Sequence, residues 1–596
     1  MKKKSISELK SVILKSKRSF FFVGFFSFFI NILMLTSPLY MLQLYDRVLT
    51  SRSEETLIML TLLVVLLFAT AALLEMVRSR VLVRVGNKMD SLLSNRVFDS
   101  LFALANKAPG KASSMPLNDL TQIRQFMTGN GVFAFFDAPW IPIYIGVLFL
   151  FHPMFGWFAI FAAIVLFSIA LINEKVSKEK LAQANQLSRQ STMYVDSSLR
   201  NSEVVHAMGM SDNIRNRWLK KYYGFLNAQT DASEKAGIWS NMSKSLRMLF
   251  QSLILGLGGY LAIKMEVSPG MMIAGSIIMG RALAPLDLII GSWKQFSSAR
   301  TSYERVDSLL NDFPQKADNM DLPAPKGNIF LEGVMLAPPG SKVPSLRGIT
   351  MAFNQGDIVG VIGPSAAGKS SLARAILGLW PLMSGKVRID GADIFQWDKD
   401  KLGKFIGYLP QDIELFEGTI SENIARFGEV DSQKVVEAAQ KAGVHDMILR
   451  LPEGYDTKLG AGGHSLSGGQ KQRIGLARSL YDNPVFIVLD EPNSNLDDQG
   501  ELSLISAISK LKENNTTVVL ITHRPSILQV TNKLAVMQAG TLQAFGDTKE
   551  VLAKLNASKM QAQAATQKAQ QHSGQQKTQP KVQMSSPSIS LSKPGE

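Results

Sequence analysis

Three short strings in the second half of this 596-residue chain could do chemistry by their residue types and spacing. The first is Gly363, Pro364, Ser365, Ala366, Ala367, Gly368, Lys369 and Ser370, followed by Ser371. In this GxxxxGK[ST] pattern the glycines let backbone N–H groups turn inward onto phosphate. The lysine reaches the β- and γ-phosphates, and the Ser370 hydroxyl can hold Mg²⁺. The second is Asp490 and Glu491, directly after the apolar run 485–489. Asp490 at the C-terminal end of a parallel strand is placed to hold Mg²⁺, and Glu491 to polarise a water attacking the γ-phosphate. The third is Leu466, Ser467, Gly468, Gly469 and Gln470, leading into a helical pattern over 471–481. Free N–H groups, a serine hydroxyl and the positive end of a helix make it a second anion site.

These strings need particular elements around them. The run 358–362 is short, apolar and β-branched, which predicts a buried parallel strand, and 371–377 has apolar residues at helical spacing. The loop 363–370 therefore sits between a strand and a helix N-terminus, where anions bind. From about 328 to 555 apolar strands alternate with helical patterns, as in an α/β domain. The polar, proline-containing stretch 311–327 reads as a linker. The tail 556–596 is rich in Gln, Lys, Ser and Pro and is expected to be disordered.

The first half has a different composition. Residues 1–18 hold seven Lys or Arg and read as a basic cytoplasmic arm. Six apolar segments follow within 19–310, at about 19–42, 56–74, 132–151, 154–172, 246–263 and 269–290. Each approaches the ~20 residues that a helix needs to cross a bilayer. Asp137 in the third segment is expected near an interface or in a polar cavity, because a charge at mid-bilayer is costly. Arg281 in the sixth reads either as a pathway residue or as a helix–helix pairing residue. The basic stretches 78–124 and 175–244, with the basic arm, place the N-terminus and both long loops in the cytoplasm. Those loops look helical and continuous with the spans, with 118–122 and 211–215 as candidate short cross-helices at their tips.

The formal charge of +15 invites a nucleic-acid reading, but membrane topology accounts for much of the excess, and no nucleic-acid partner is expected. With no cysteine, disulfides, cysteine nucleophiles and thiolate metal sites are excluded. The fold expected is an α-helical six-span transmembrane bundle followed by an α/β P-loop ATPase domain.

The order of the chemical strings resembles that of ABC ATPases, with Leu466, Ser467, Gly468, Gly469 and Gln470 as the signature. The resemblance extends to Gln411 after Tyr408, Leu409 and Pro410, to Ser494, Asn495, Leu496 and Asp497, and to His523. It implies ATP and Mg²⁺ as cofactors, with Gln411 joining Ser370 and Asp490 at the metal and His523 contacting the γ-phosphate. It also implies a homodimer, in which each ATP lies between one subunit's residues 363–371 and the other's 467–470.

Further strings narrow the resemblance to the ATPase of type I protein secretion systems, in the branch exporting proteases, lipases and repeat-in-toxin proteins. They are Phe136, Asp137, Ala138, Pro139 and Trp140, with the segments 203–210, 337–340, 408–427 and 491–497. The branch implies export of an unfolded polypeptide with a C-terminal signal across a bacterial inner membrane. Its partners would be a membrane-fusion protein and an outer-membrane channel. No cysteine-peptidase-like domain is expected before the spans. An exporter of lipids or small hydrophobic molecules is the alternative, since it shares every catalytic motif. Two departures stand out: Pro338 where many ABC domains have an adenine-stacking aromatic, and Ala461 where many exporters have a glutamate.

Overall fold

The computed structural model describes residues 7–108, 110, 113–315, 322–460, 463 and 466–557. Ala461 and the tail from 558 onward lie outside the described residues. The chain divides into two compact units, one formed by 1–105 with 110–315 and the other mainly by 316–596.

Six helical segments in the first unit are long and apolar enough to cross a membrane: Lys17–Ser51, Glu54–Lys107, Gly131–Phe151, Pro153–Leu199, Ser211–Ile263 and Pro269–Asp312. Four of them run 44 to 54 residues, about 65–80 Å at 1.5 Å per residue, against a hydrocarbon core of about 30 Å. They therefore continue well past the bilayer as helix. The third segment is broken into Asn130–Asp137, a 3₁₀ turn Ala138–Trp140 and Ile141–Phe151. Pro139 and Pro142 account for the break, since each lacks a backbone donor.

The tips differ in part from the sequence expectation. Residues 118–122 lie inside the 14-residue helix Met115–Thr128, and Asp119 there is buried against Arg305 of the last long helix. Residues 211–215 are not a separate cross-helix but the first turn of Ser211–Ile263. The short helix at that tip is Ser202–Ala207. Gly209 stops it in a left-handed conformation (φ 63°), with Met210 N–H donating back to Val205 O at 2.8 Å. The basic arm is also more structured than expected. Glu8–Lys15 is a helix whose Leu9 and Val12 are buried with Met89, Leu93 and Val97, and Glu8 pairs with Arg96 at 3.2 Å.

Asp137 sits in a polar cluster between the first three spans. Its Oδ1 accepts from Asn31 Nδ2 at 2.9 Å and from Arg78 Nη1 at 3.2 Å. Arg78 also donates to Ser27, and its guanidinium lies 4.1 Å from the centre of the Phe133 ring. Tyr144 donates to Asn31. In the sixth span Asp287 takes Arg247 and Ser243 as partners.

The second unit is built on a six-stranded sheet. Its order is Thr541–Asp547, Lys533–Gln538, Ile358–Ile362, Thr517–Ile521, Phe486–Asp490, Ile406–Leu409, parallel except for the first strand. Strand side chains alternate between two cores. Ile487 and Leu489 face a helical layer, while Phe486 and Val488 face a core shared with the antiparallel sheet of Leu346–Phe353, Ile329–Leu336 and Ser384–Ile389. Burial on both faces explains why these strands read as continuous apolar runs.

Removing one partner of a buried ion pair costs about 3–5 kcal/mol, because the other charge is left unpaired. Asp137→Ala should therefore lower the thermal midpoint of the detergent-solubilised protein sharply. The double variant Arg78→Met/Asp137→Leu, which removes both charges, should recover most of the loss.

Candidate functional site

The loop 363–370 leaves the central strand Ile358–Ile362 and enters the helix Lys369–Ile376. Two of its glycines are required sterically. A Cβ on Gly363 would stand 2.2 Å from Met537 O, and one on Gly368 (φ 97°) would stand 2.7 Å from Ser345 O. Lys369 folds back over the loop, its Nζ 3.0 Å from both Gly363 O and Pro364 O. Burial lowers its pKa from the ordinary lysine range, and the nearby carboxylates of Glu491 and Asp490 act in the opposite sense. Ser371 is tied behind the loop to Ser345, hydroxyl to hydroxyl, at 3.0 Å.

The neighbouring strand Phe486–Asp490 brings Asp490 to the edge of this loop. Asp490 is only 2 % exposed, and its Oδ1 has no hydrogen-bond partner. Burial raises its pKa, while Ser370, Arg374 and Lys369 favour the charged form. A buried carboxylate oxygen without a donor, beside a serine hydroxyl, fits a cation: Ser370 and Asp490 would hold Mg²⁺.

Glu491 follows in a left-handed backbone conformation (φ 52°), sparsely populated for a residue with a Cβ. Its N–H donates to Ile521 O at 3.0 Å, which fixes the turn. Its carboxylate is held from two sides, by Gln411 Nε2 on Oε2 at 3.1 Å and by His523 Nε2 at 3.2 Å from Oε1. With Nε2 spent on Glu491, the Oε1 acceptor of Gln411 is the atom available to a cation. The fold thus gathers Lys369, Ser370, Asp490, Glu491, Gln411 and His523 from four separate stretches of sequence.

The third string is arranged differently. Ser467 is the N-cap of the helix Gly468–Leu480, so Gly468, Gly469 and Gln470 are its first turn, earlier than the sequence pattern suggested. Ser467 Oγ accepts from Gln470 N, and Gln470 Oε1 accepts from Ser467 N at 2.9 Å, a reciprocal cap. A Cβ on Gly469 would stand 2.8 Å from Asn495 O, so the two loops are in direct contact. Among the described residues, no hydrogen bond or ion pair joins 467–470 to 363–371 within the chain.

Two residues not anticipated from sequence tie the site together. Gln472, 1 % exposed, donates from Nε2 to Glu491 O at 3.2 Å and accepts at Oε1 from Asn495 N at 2.9 Å. Its signal in the sequence is a polar residue one turn before Leu476, on the buried face of the helix. Glu501 accepts from Arg524 and Ser526, holding the segment that follows His523. Pro338 is half-buried just past the strand Ile329–Leu336, in a turn closed by Ser341 N–H onto its carbonyl at 2.9 Å.

Comparison with known proteins covers both units. Residues 20–284 match the family described as ABC transporter transmembrane region, and 346–494 match the family described as ABC transporter. The type I secretion system ATP-binding protein PrsD of Rhizobium meliloti is 42% identical over 541 residues, 90% of this chain and 93% of that protein. The toxin RTX-I translocation ATP-binding protein of Actinobacillus pleuropneumoniae is 26% identical, over 91% of this chain and 78% of its own. A solved bacterial Atm1-family ABC exporter with ATP bound superposes with a TM-score of 0.78 at 22% identity, covering 92% of this chain and 98% of that one.

The Gln472 bonds define a test. Gln472→Leu leaves Glu491 O and Asn495 N buried without partners, each costing about 1–3 kcal/mol. Turnover of ATP should fall by about tenfold or more. The affinity for a fluorescent ATP analogue should change little, because no phosphate-loop contact is lost.

Proposed function

The chain belongs to the ABC transporters, among the type I secretion ATP-binding proteins, and from that premise we propose that it drives export of an unfolded polypeptide by hydrolysing ATP. One observation carries the export reading. The likeness to PrsD spans 90% of the chain, membrane half included, and is not confined to the ATPase motifs shared by all such transporters. The relatives from toxin systems are named for translocation of an RTX toxin and of a leukotoxin, which favours a polypeptide over a lipid as cargo.

In this reading the backbone of 363–368 and Lys369 hold the triphosphate of ATP. Ser370, Asp490 and Gln411 would hold Mg²⁺, which would supply positive charge against the phosphates. Glu491, steadied by Gln411 and His523, accepts the proton of the attacking water as the bond from phosphorus to the leaving ADP oxygen breaks. His523 then lies beside the γ-phosphate and reports its presence. Ser467, Gly468, Gly469 and Gln470 cover the ATP of a second copy, since the chain makes no use of them at its own loop. The working unit is therefore a homodimer with two shared sites.

Six spans make this a multi-pass membrane protein. The basic residues flanking the long helical extensions support a cytoplasmic side for those extensions, the N-terminus and the ATPase unit at the bacterial inner membrane. A membrane-fusion protein and an outer-membrane channel would complete the conduit. The cargo would carry an uncleaved C-terminal signal.

Glu491→Gln keeps size and hydrogen bonding but removes the base. Turnover should drop by about 10²-fold or more while ATP binding persists. Deleting the gene should abolish secretion of one extracellular protein, which accumulates inside with its C-terminus intact. An unchanged secreted proteome together with altered lipid or drug efflux would instead favour the alternative cargo.

A further inference from the structure

Three long helices of the first unit, Pro153–Leu199, Ser211–Ile263 and Pro269–Asp312, enclose a cavity of about 290 Å³. Its depth follows from helix geometry. Among the lining residues, Asn173 stands twenty residues after Pro153, Ile290 twenty-one after Pro269, and Ser240 twenty-three before Ile263. Those three helix ends share one side of the bundle, where His152 Nε2 is 3.2 Å from Glu266. At 1.5 Å per residue the cavity therefore begins about 30–35 Å from that side, where a hydrocarbon core of about 30 Å gives way to headgroups. On the topology that the basic stretches support, this is the inner leaflet. Two helix-interior glycines border the space, Gly237 and Gly291, and a Cβ on either would meet nothing within 4 Å. Glycine weakens a helix interior relative to alanine, and no packing contact in the chain requires it here. What the glycines preserve is the room beside them.

The polar groups say what fills it. Asn173 is 3 % exposed and lines the cavity; its Oδ1 accepts from Ser177 Oγ at 3.0 Å, and its Nδ2 has no acceptor among the described residues. Lys178 and Lys294 line the cavity from two different helices, and neither has an ion-pair partner among the described residues. No aspartate or glutamate joins them. Asp231, beside the lining Ala232, is taken by Lys180 and Lys235. Glu174 and Glu304 line an adjoining cavity of about 160 Å³ instead, together with Arg189 and Arg300. An amide donor and two ammonium groups with no carboxylate between them suit an anion. There is room for a headgroup, since one water needs only ~10–15 Å³ of such space. Leu171, seven residues before Lys178, and Leu288, three before Gly291, are exposed apolar side chains on the faces leading from the cavity into the bilayer. Trp293 in the lining is of a type enriched at headgroup level.

We propose that this cavity holds the phosphate headgroup of an anionic phospholipid from the inner leaflet. Lys178, Lys294 and the Asn173 amide would meet its oxygens, and its acyl chains would run along Leu171 and Leu288. The depth of the cavity and the apolar faces above it favour a lipid over a free phosphate. The site does not depend on what the protein exports. A lipid seated there fills the gap between three long helices and so stabilises the bundle.

Full-length protein stripped of lipid in a mild detergent would be titrated with phosphatidylglycerol, phosphatidylcholine or glycerol 3-phosphate. The thermal midpoint and the lipid retained after washing would be followed. Phosphatidylglycerol should be retained and should raise the midpoint, as a ligand of the folded state does. Phosphatidylcholine, which carries no net charge, should bind about tenfold more weakly. Lys178→Gln/Lys294→Gln should weaken phosphatidylglycerol binding about tenfold or more, and Lys178→Arg/Lys294→Arg should keep it, a charge dependence that misfolding would not reproduce. Gly237→Leu puts a side chain into the cavity and should abolish retention while ATPase activity in detergent persists. Retention equal to wild type in the Gln double variant or in Gly237→Leu, or equal retention of the two lipids, would overturn the site. Glycerol 3-phosphate raising the midpoint as much as phosphatidylglycerol would overturn the lipid and leave a soluble phosphate as the occupant. No retention and no midpoint shift with any of the three would overturn the anion site altogether, the result expected if a second copy of the chain fills the space.

Discussion

Asp490 carries a charge that the fold has taken out of water without completing its hydrogen bonds, one carboxylate oxygen being left with no donor. Burying a charge in this way is tolerable only if something positive arrives. Its neighbours make sense as the means of receiving it. The parallel strands bring Asp490 level with the end of the strand that launches the phosphate loop, and the loop's lysine rests on its own carbonyls. Glu491, one residue on, is turned away from Asp490 by its left-handed backbone and clamped by Gln411 and His523. In the function proposed, the two adjacent carboxylates do different work, Asp490 toward the cation and Glu491 toward the attacking water.

The same turn links the catalytic carboxylate to the signature helix. Gln472 bridges Glu491 O to Asn495 N, and Asn495 O closes over Gly469. A shift of the 467–470 segment upon covering a second copy's ATP would therefore be felt at Glu491 through two contacts. In the proposed homodimer this would be a physical route by which hydrolysis waits for closure. The membrane half relies on the converse strategy, since its charges are paired internally at Arg78–Asp137 and Arg247–Asp287.

Much of this was legible in the sequence, for reasons that can be stated residue by residue. The phosphate loop, the Asp490–Glu491 pair and the signature are contiguous strings, and the six spans are long apolar runs, so both halves announced themselves. Features that depend on contacts between distant segments did not. Gln472 is an ordinary glutamine until the helix turns it toward the end of Phe486–Asp490. The docking of Glu8–Lys15 depends on Leu9 and Val12 meeting Met89 and Leu93, some eighty residues away. The tip at 211–215 was misplaced because its polar start resembles a separate turn, whereas the stop is set upstream by Gly209.

The central claim is that each ATP is hydrolysed between two copies of the chain, with residues 363–371 from one and 467–470 from the other. Mixing two inactive variants tests it directly. Lys369→Ala spoils the loop and Ser467→Arg spoils the signature, so neither homodimer should turn over. A dimer containing one copy of each holds one doubly damaged site and one intact site. Equal co-expression should therefore restore roughly a quarter of wild-type ATPase activity, as random pairing in a symmetric dimer requires. Activity no higher than that of either variant alone, with mixed dimers present in the preparation, would contradict the account.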